Sequence, residues 1–277
     1  NRWQWRQGVA FALVFLALLG FAGHGMVAVT GCSASSPPSS ISSLSTFFME
    51  QEVLLTQSNG ESNEEVASPQ RVTLVVLNRL CLDDLVAMGD SSLEQVAWQG
   101  GIGLMNTRTG GGLTAENAYT SLGGGFRLVG AAGAKLALPV LEEYHGEIAR
   151  DIYHRRTGED VSPGSIIVLD IENIKANNMA SFGTGRVGVI GEALREAKRG
   201  VALLGNADTD EYQRWAALIA MDGKGQVPMG IIGSRMNLRD AAFPSGRRTD
   251  FEALWQAYLA LRPKAAFIVL DLGDLDR

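Results

Sequence analysis

Residues Asn106–Arg127 read NTRTGGGLTAENAYTSLGGGFR, two glycine triplets around a polar, hydroxyl-rich centre. Gly101–Met105 before them is apolar and strand-like, and Thr114-Ala115-Glu116 has the form of a helix start with Thr114 at the N-cap. Strand, glycine loop and helix in that order are the unit of an α/β protein. Glycines let backbone approach a ligand closely. A hydroxyl at a helix N-terminus sits where the dipole and the first N–H groups favour an anion. A phosphate-like group and a threonine nucleophile suit that environment. The same residues also read as a glycine-rich turn closed by a threonine cap.

Outward from this loop the pattern alternates. VTLVVL at 72–77 is a β-branched run suited to a strand buried on both faces, ending at Asn78. Leu82–Trp98 carries helical spacing, interrupted near Gly89. Pro139–Arg156 reads as an amphipathic helix, Ile166–Ile171 as a strand and Gly188–Lys198 as a helix. Val201–Gly205 is a strand running into Asn206 and Asp208. Trp215–Met221 and Val227–Ile232 read as two strands of a hairpin across Asp222–Gly225. Thr249 or Asp250 caps a helix to Leu261. AAFIVL at 265–270 is the last strand, and it delivers Asp271, Asp274 and Asp276. This predicts an α/β fold, a mostly parallel central sheet flanked by helices on both faces. Ligands in such sheets bind beyond the C-terminal strand ends, where Asn78, the Thr114 loop, Asp208 and Asp271 are expected to converge.

Composition narrows the function. The chain has 277 residues, net charge −6 and no dense Lys/Arg cluster, which argues against a nucleic-acid partner. Its two cysteines, Cys32 and Cys81, make no zinc spacing. His145 and His154 are nine positions apart, a poor pair of metal ligands, and read as surface or structural. Gly183–Gly188 (GTGRVG) matches G-x-G-x-x-G, with Asp208 twenty residues on. The polar stretch KANNMAS at 175–181 precedes it instead of a strand, so the dinucleotide reading fails on context.

Three domains are expected. Residues 1–30 hold an uncharged stretch, 8–29, long enough to span a bilayer, with Arg2 and Arg6 before it. It is read as an uncleaved signal anchor attaching the protein to the cell membrane, single-pass, with everything after residue 30 extracytoplasmic. A removable signal peptide fits too, and Val29–Cys32 resembles a lipoprotein processing site with Cys32 as the lipidated residue. Residues 31–70, with eight serines and two prolines between 33 and 45, read as a disordered linker. Residues 71–277 are the folded domain. The chain starts with Asn and stops seven residues after Leu270, so a piece of a longer protein is expected.

The segments VTLVVLNRLCLDDL at 72–85, GLMNTRTGGGLTAENAYTSLGGGFR at 103–127, VGVIGEALREAKRGVALLGNAD at 187–208 and FIVLDLGDLDR at 267–277 add a likeness. Together they resemble the N-terminal part of alkaline phosphatase-like domains, above all membrane-attached bacterial members, a superfamily that includes cofactor-independent phosphoglycerate mutases. The resemblance implies a central mixed sheet with two divalent metal ions, zinc or manganese, at the strand ends. It also implies a Ser or Thr that attacks phosphorus and becomes a phospho-enzyme. It puts Thr114 at the nucleophile position and as a metal ligand. Asp271 or Asp274, with Asp276 as a third choice of register, becomes a metal carboxylate, and Asn106 and Arg127 hold phosphate oxygens. Asn78 stands where the family carries a metal-binding Asp, and an amide holds a dication less strongly than a carboxylate. The family's metal histidines come later than residue 277. The function expected is a metal-dependent phosphoester hydrolase or phosphotransferase acting on a phosphorylated or other anionic small molecule or envelope polymer. The alternative is a non-catalytic module that binds an anionic envelope ligand or a partner protein.

Overall fold

The computed structural model describes residues 13–19, 25–30, 71–87, 93, 96, 100–105 and 108–276. The strands are β1 (Leu13–Leu19), β2 (Gly25–Thr30), β3 (Val72–Asn78), β4 (Gly101–Met105), β5 (Ala137–Pro139), β6 (Glu143–Tyr144) and β7 (Glu147–Ile148). They continue as β8 (Ile166–Val168), β9 (Val201–Asn206), β10 (Gln226–Val227), β11 (Met229–Ile232), β12 (Asn237–Arg239), β13 (Arg247–Thr249) and β14 (Phe267–Leu272). The helices are α1 (Leu82–Ala87), α2 (Ala115–Gly124), α3 (Ala149–Thr157), α4 (Ile171–Phe182), α5 (Val189–Glu196), α6 (Ala217–Ala220) and α7 (Phe251–Leu261).

One seven-stranded sheet, in the order β11-β9-β14-β3-β1-β2-β4, organises the α/β fold. Its first four strands are mutually parallel, β1 runs against both β3 and β2, and β2 is parallel to β4. Alternation along β9 sorts two cores. Val201 and Leu203 join Phe267, Val269 and Val76 in the larger one, together with Tyr119, Leu128 and Leu218. Ala202 and Leu204 face the other side, where Leu254 and Ala257 of α7 and Ile268 close a smaller core. A strand buried on both faces is expected to be apolar, and β9 is so from Val201 to Gly205, with the buried Asn206 at its end. A smaller sheet, β10-β8-β5, backs the larger core.

Residues 8–29, read from hydropathy as one transmembrane helix, are described only in part, and the described parts are β1 and β2. An aliphatic run fits a buried strand as readily as a helix by composition. Among the described residues no helix is long and apolar enough to cross a membrane. The expected linker 31–70, with Cys32, lies outside the described residues.

Three sequence expectations change. The helix expected over Pro139–Arg156 begins only at Ala149, because His145 and Gly146, both at positive φ (54° and 83°), turn a β6–β7 hairpin first. KANNMAS belongs to α4, in which Ile171, Ile174 and Asn178 form the buried face. Trp215–Met221 is no hairpin strand. It contains the buried helix α6, and a short apolar run has no periodicity that separates the two. By contrast Asp250 caps α7 as read, its Oδ1 accepting from Ala253 N at 2.9 Å.

Candidate functional site

The C-terminal ends of β3 and β14 lie side by side, with Asp271 opposite Val76 in register. Asn78, two residues on in β3, is 7% exposed, and Asp271 is 5% exposed. Both polar atoms of Asn78 are engaged. Its Nδ2 donates to Asp276 Oδ2 at 2.7 Å, and its Oδ1 accepts the Tyr119 hydroxyl at 2.7 Å. Tyr119 belongs to α2, so the helix begun by Thr114 is tied directly to the rim. Burial, and then the charges of Asp271 and Asp276, push the Tyr119 phenol well above its usual range, so it stays a donor at neutral pH.

Thr114 occupies the N-cap of α2, in extended conformation (φ −124°, ψ 159°). Its hydroxyl makes no cap bond to the helix, and Oγ1 is a buried atom with no hydrogen-bond partner among the described residues. Buried hydroxyls nearly always find a partner, so this one stands out. Thr114 precedes Tyr119 by five residues, about 7 Å along a helix axis.

Around Thr114 the two glycine triplets serve packing first. A Cβ on Gly123 would lie 2.0 Å from Leu218 O, and one on Gly110 would lie 2.7 Å from the Phe182 ring. Gly123 therefore lets α2 touch α6. Gly125, at φ 70°, ends α2. Only Gly112 and Gly125 of the six have open space around them. Asn117 of α2 clamps the loop. Its Nδ2 donates to Gly112 O at 2.9 Å, and its Oδ1 accepts from Gly130 N at 2.7 Å. Asn177 and Asn178 of α4 hold Gly130 O and both backbone groups of Val129. Those contacts explain an asparagine-rich helix.

The remaining expected residues separate. Arg127 is exposed, beyond the end of α2. Asn106 lies outside the described residues. Asp274 turns to a different partner, its Oδ1 accepting from Thr249 N at 2.7 Å and Thr249 Oγ1 at 3.0 Å, which pins the end of β13. Asp276, the third choice in the sequence, is the acid that meets Asn78. Asp208 leaves the expected convergence altogether and pairs with Arg214 at 3.0 Å. Arg214 is 5% exposed and also takes Glu142 at 2.6 Å, the Ala137 carbonyl at 3.1 Å and the face of Tyr212 at 4.5 Å. Burial pulls the pKa of Arg214 down, but the hydrogen bond to Glu142 and the Asp208 charge outweigh it and leave it raised. Nothing local in the sequence pairs residues 142, 208 and 214.

His145 sits in the β6–β7 turn, and His154 is on the exposed side of α3, its Nδ1 3.3 Å from Asp160 Oδ1. The Gly183–Gly188 loop joins helix α4 to helix α5, not strand to helix, with Gly183 ending α4 and Gly188 starting α5. A cleft of about 340 Å³ runs along Gly185–Val187, but Glu192 and Glu196 line it beside Arg186, which opposes a pyrophosphate. The dinucleotide reading fails here as it did on sequence context.

For a metal, the test is whether donors at the rim are left over. Both polar atoms of Asn78 and one oxygen each of Asp274 and Asp276 are committed to protein partners. Among the described residues no group of three His, Cys, Asp or Glu side chains could hold an ion. A metal held by Asn78, Thr114, Asp271 and Asp274 would need further ligands besides these residues. Comparison with protein-family models, with curated proteins and with solved structures finds no match to this chain.

Proposed function

We propose that the rim formed by Thr114, Tyr119, Asn78, Asp271 and Asp276 receives the phosphoryl group of an anionic substrate, and that Thr114 is the nucleophile of a phosphoester hydrolase or phosphotransferase. The observation that carries this is the buried, unpartnered Thr114 hydroxyl at the start of a ten-residue helix. Dipole and first-turn N–H groups favour a phosphate at such a terminus. Oγ1 would attack phosphorus, the leaving oxygen would depart with a proton, and water would release the phosphoryl group from Thr114. The likeness to alkaline phosphatase-like domains supports the same role. The two divalent ions that likeness implies would need ligands additional to the residues at this rim, and no step here passes through them. Extracytoplasmic placement on a membrane is proposed from the composition of the uncharged stretch 8–29 alone, and the strands β1 and β2 formed by its described parts do not support it.

A different class of function is favoured by Asn78. Its amide is saturated by Asp276 and Tyr119, as expected of a cleft that binds an anionic envelope ligand or a partner protein without catalysis. Incubating the protein with a panel of phosphomonoesters and phosphodiesters, then mapping phosphoryl adducts by mass spectrometry, separates the two. The catalytic reading expects an adduct on the Thr114 peptide, and turnover lowered at least roughly a thousandfold in Thr114→Ala and retained in part by Thr114→Ser. Turnover that survives Thr114→Ala rules that residue out as nucleophile. Ligand binding without turnover in any condition leaves the non-catalytic cleft.

A further inference from the structure

The two rims of the large sheet differ in charge. Acids follow β14 and β9 at one rim, but Arg79, Arg214 and Arg247 pair there with Asp276, Asp208 and Asp210. Where the same strands begin, the residues are basic: Arg71 ahead of β3, Lys198 and Arg199 ahead of β9, Arg262 and Lys264 ahead of β14. Backbone bonds hold the three entries together. Val72 N donates to Ala266 O at 2.8 Å and Ala266 N to Gly200 O at 2.8 Å. A Cβ on Gly200 would lie 2.2 Å from Lys264 O. With strands about 4.8 Å apart, the three entries span about 10 Å. Lys198, Arg199, Arg262 and Lys264 are exposed and Arg71 is half-buried. Glu196 is the carboxylate on the chain beside these turns.

Helix α7 descends toward this basic rim, since β14 follows it after a short turn. Its outer row is apolar. Phe251, Trp255 and Leu259, spaced four apart, are 53%, 53% and 40% exposed. Trp255 stacks on Tyr258 with ring centroids 5.4 Å apart, and the Tyr258 hydroxyl lies 3.2 Å from Thr73 Oγ1. The row is thus tied to the entry of β3.

We infer that the basic rim and the adjoining row of α7, Trp255 and Leu259, dock on the surface of an anionic lipid bilayer, leaving the Thr114–Asp276 rim facing away from it. Clustered cations are drawn to anionic headgroups, while tryptophan and leucine beside them settle at the headgroup boundary. A polynucleotide would use the cations but has no need of an exposed Leu259 next to them. The surface draws neither on the phosphoester reading nor on whether residues 8–29 enter the membrane.

The test uses the full chain with vesicles of phosphatidylcholine, alone or mixed with phosphatidylglycerol. Any contribution of residues 8–29 is common to all variants, so the quantity compared is the preference for anionic over neutral vesicles. Each cation near an anionic surface is worth about a factor of five in partitioning, so Arg262→Glu with Lys264→Glu should lower that preference at least about 25-fold. Trp255→Ser with Leu259→Ser should weaken binding to both compositions. Amide exchange across 251–262 should slow on anionic vesicles. Should the charge variant fail to fold, salt serves instead, because screening in concentrated KCl must abolish the unmodified protein's preference for anionic over neutral vesicles. An anionic preference indifferent to both charge reversal and salt overturns the inference. So does α7 exchanging as fast on anionic vesicles as off them, and so does binding to RNA at salt that abolishes the anionic preference.

Discussion

Asn78→Asp probes how the rim is balanced. It places a second carboxyl where the Asn78 amide now donates to Asp276 at 2.7 Å, in a position 7% exposed. Two carboxylates that close cannot both stay ionised. The chain must part them or keep a proton between them. Holding a carboxyl of ordinary pKa, about 3.9, protonated at pH 7 takes about 3 units, or about 4 kcal/mol, and this is the ceiling. The floor is the loss of a hydrogen bond to a charged group, about 1.5 kcal/mol. We therefore expect Asn78→Asp to destabilise the fold by about 2–4 kcal/mol at pH 7. The pH dependence has a definite sign. The folded pair holds a proton that the unfolded chain has released, so its pKa is raised. Stability is then lost as pH rises from about 4 toward the folded pKa, and the penalty shrinks below pH 4, where a protonated carboxyl donates as the amide did. Urea denaturation of both proteins at pH 4 and pH 7 measures this. A penalty equal at the two pH values would refute the reasoning, since it would then come from geometry and not from charge. Repeating the pH 7 series with manganese or zinc asks a second question. A cation that fits between the new carboxyl and Asp276 must raise the variant's midpoint above any effect on the native protein.

Three further substitutions test the scaffold. Arg214→Ala leaves the partly exposed Glu142 and Asp208 without their buried cation, and a loss of about 2–4 kcal/mol in urea denaturation is expected; less than about 1 kcal/mol would show that the triad is not what holds residues 137–142 to residues 208–214. Gly123→Ala forces a methyl against the Leu218 carbonyl and should lower stability by about 1–3 kcal/mol, whereas Gly112→Ala, with open space around it, should stay within about 0.5 kcal/mol of the native protein. Thermal melts of the pair distinguish glycines required by packing from one left for a ligand.

Much of the architecture is present in local patterns. The largely β-branched run at 72–77 and the apolar run at 201–205 mark strands of the central sheet, and 201–205 is buried on both faces, where apolar side chains are favoured. Asp250 marks a helix start because its carboxylate meets the N–H groups of the first turn. The Thr114–Glu116 signature gives α2 for a similar reason, although the Thr114 hydroxyl does not make the cap bond. What local pattern misjudges is the identity of short apolar runs such as 217–220, and of a polar helix such as α4. In α4 the asparagines are chosen by the carbonyls of residues 129 and 130, more than forty positions away.

The site divides along the same line. The sequence alone determined that Thr114 begins a helix, that Asn78 ends a strand and that acids follow the last strand, since each is a property of neighbours along the chain. Tertiary structure alone decided which acid meets Asn78, that Tyr119 completes the contact, and that Asp208 and Asp274 are drawn away to Arg214 and Thr249. Charged side chains choose partners by distance through space and by how little water reaches them, and neither quantity is written in spacing along the chain.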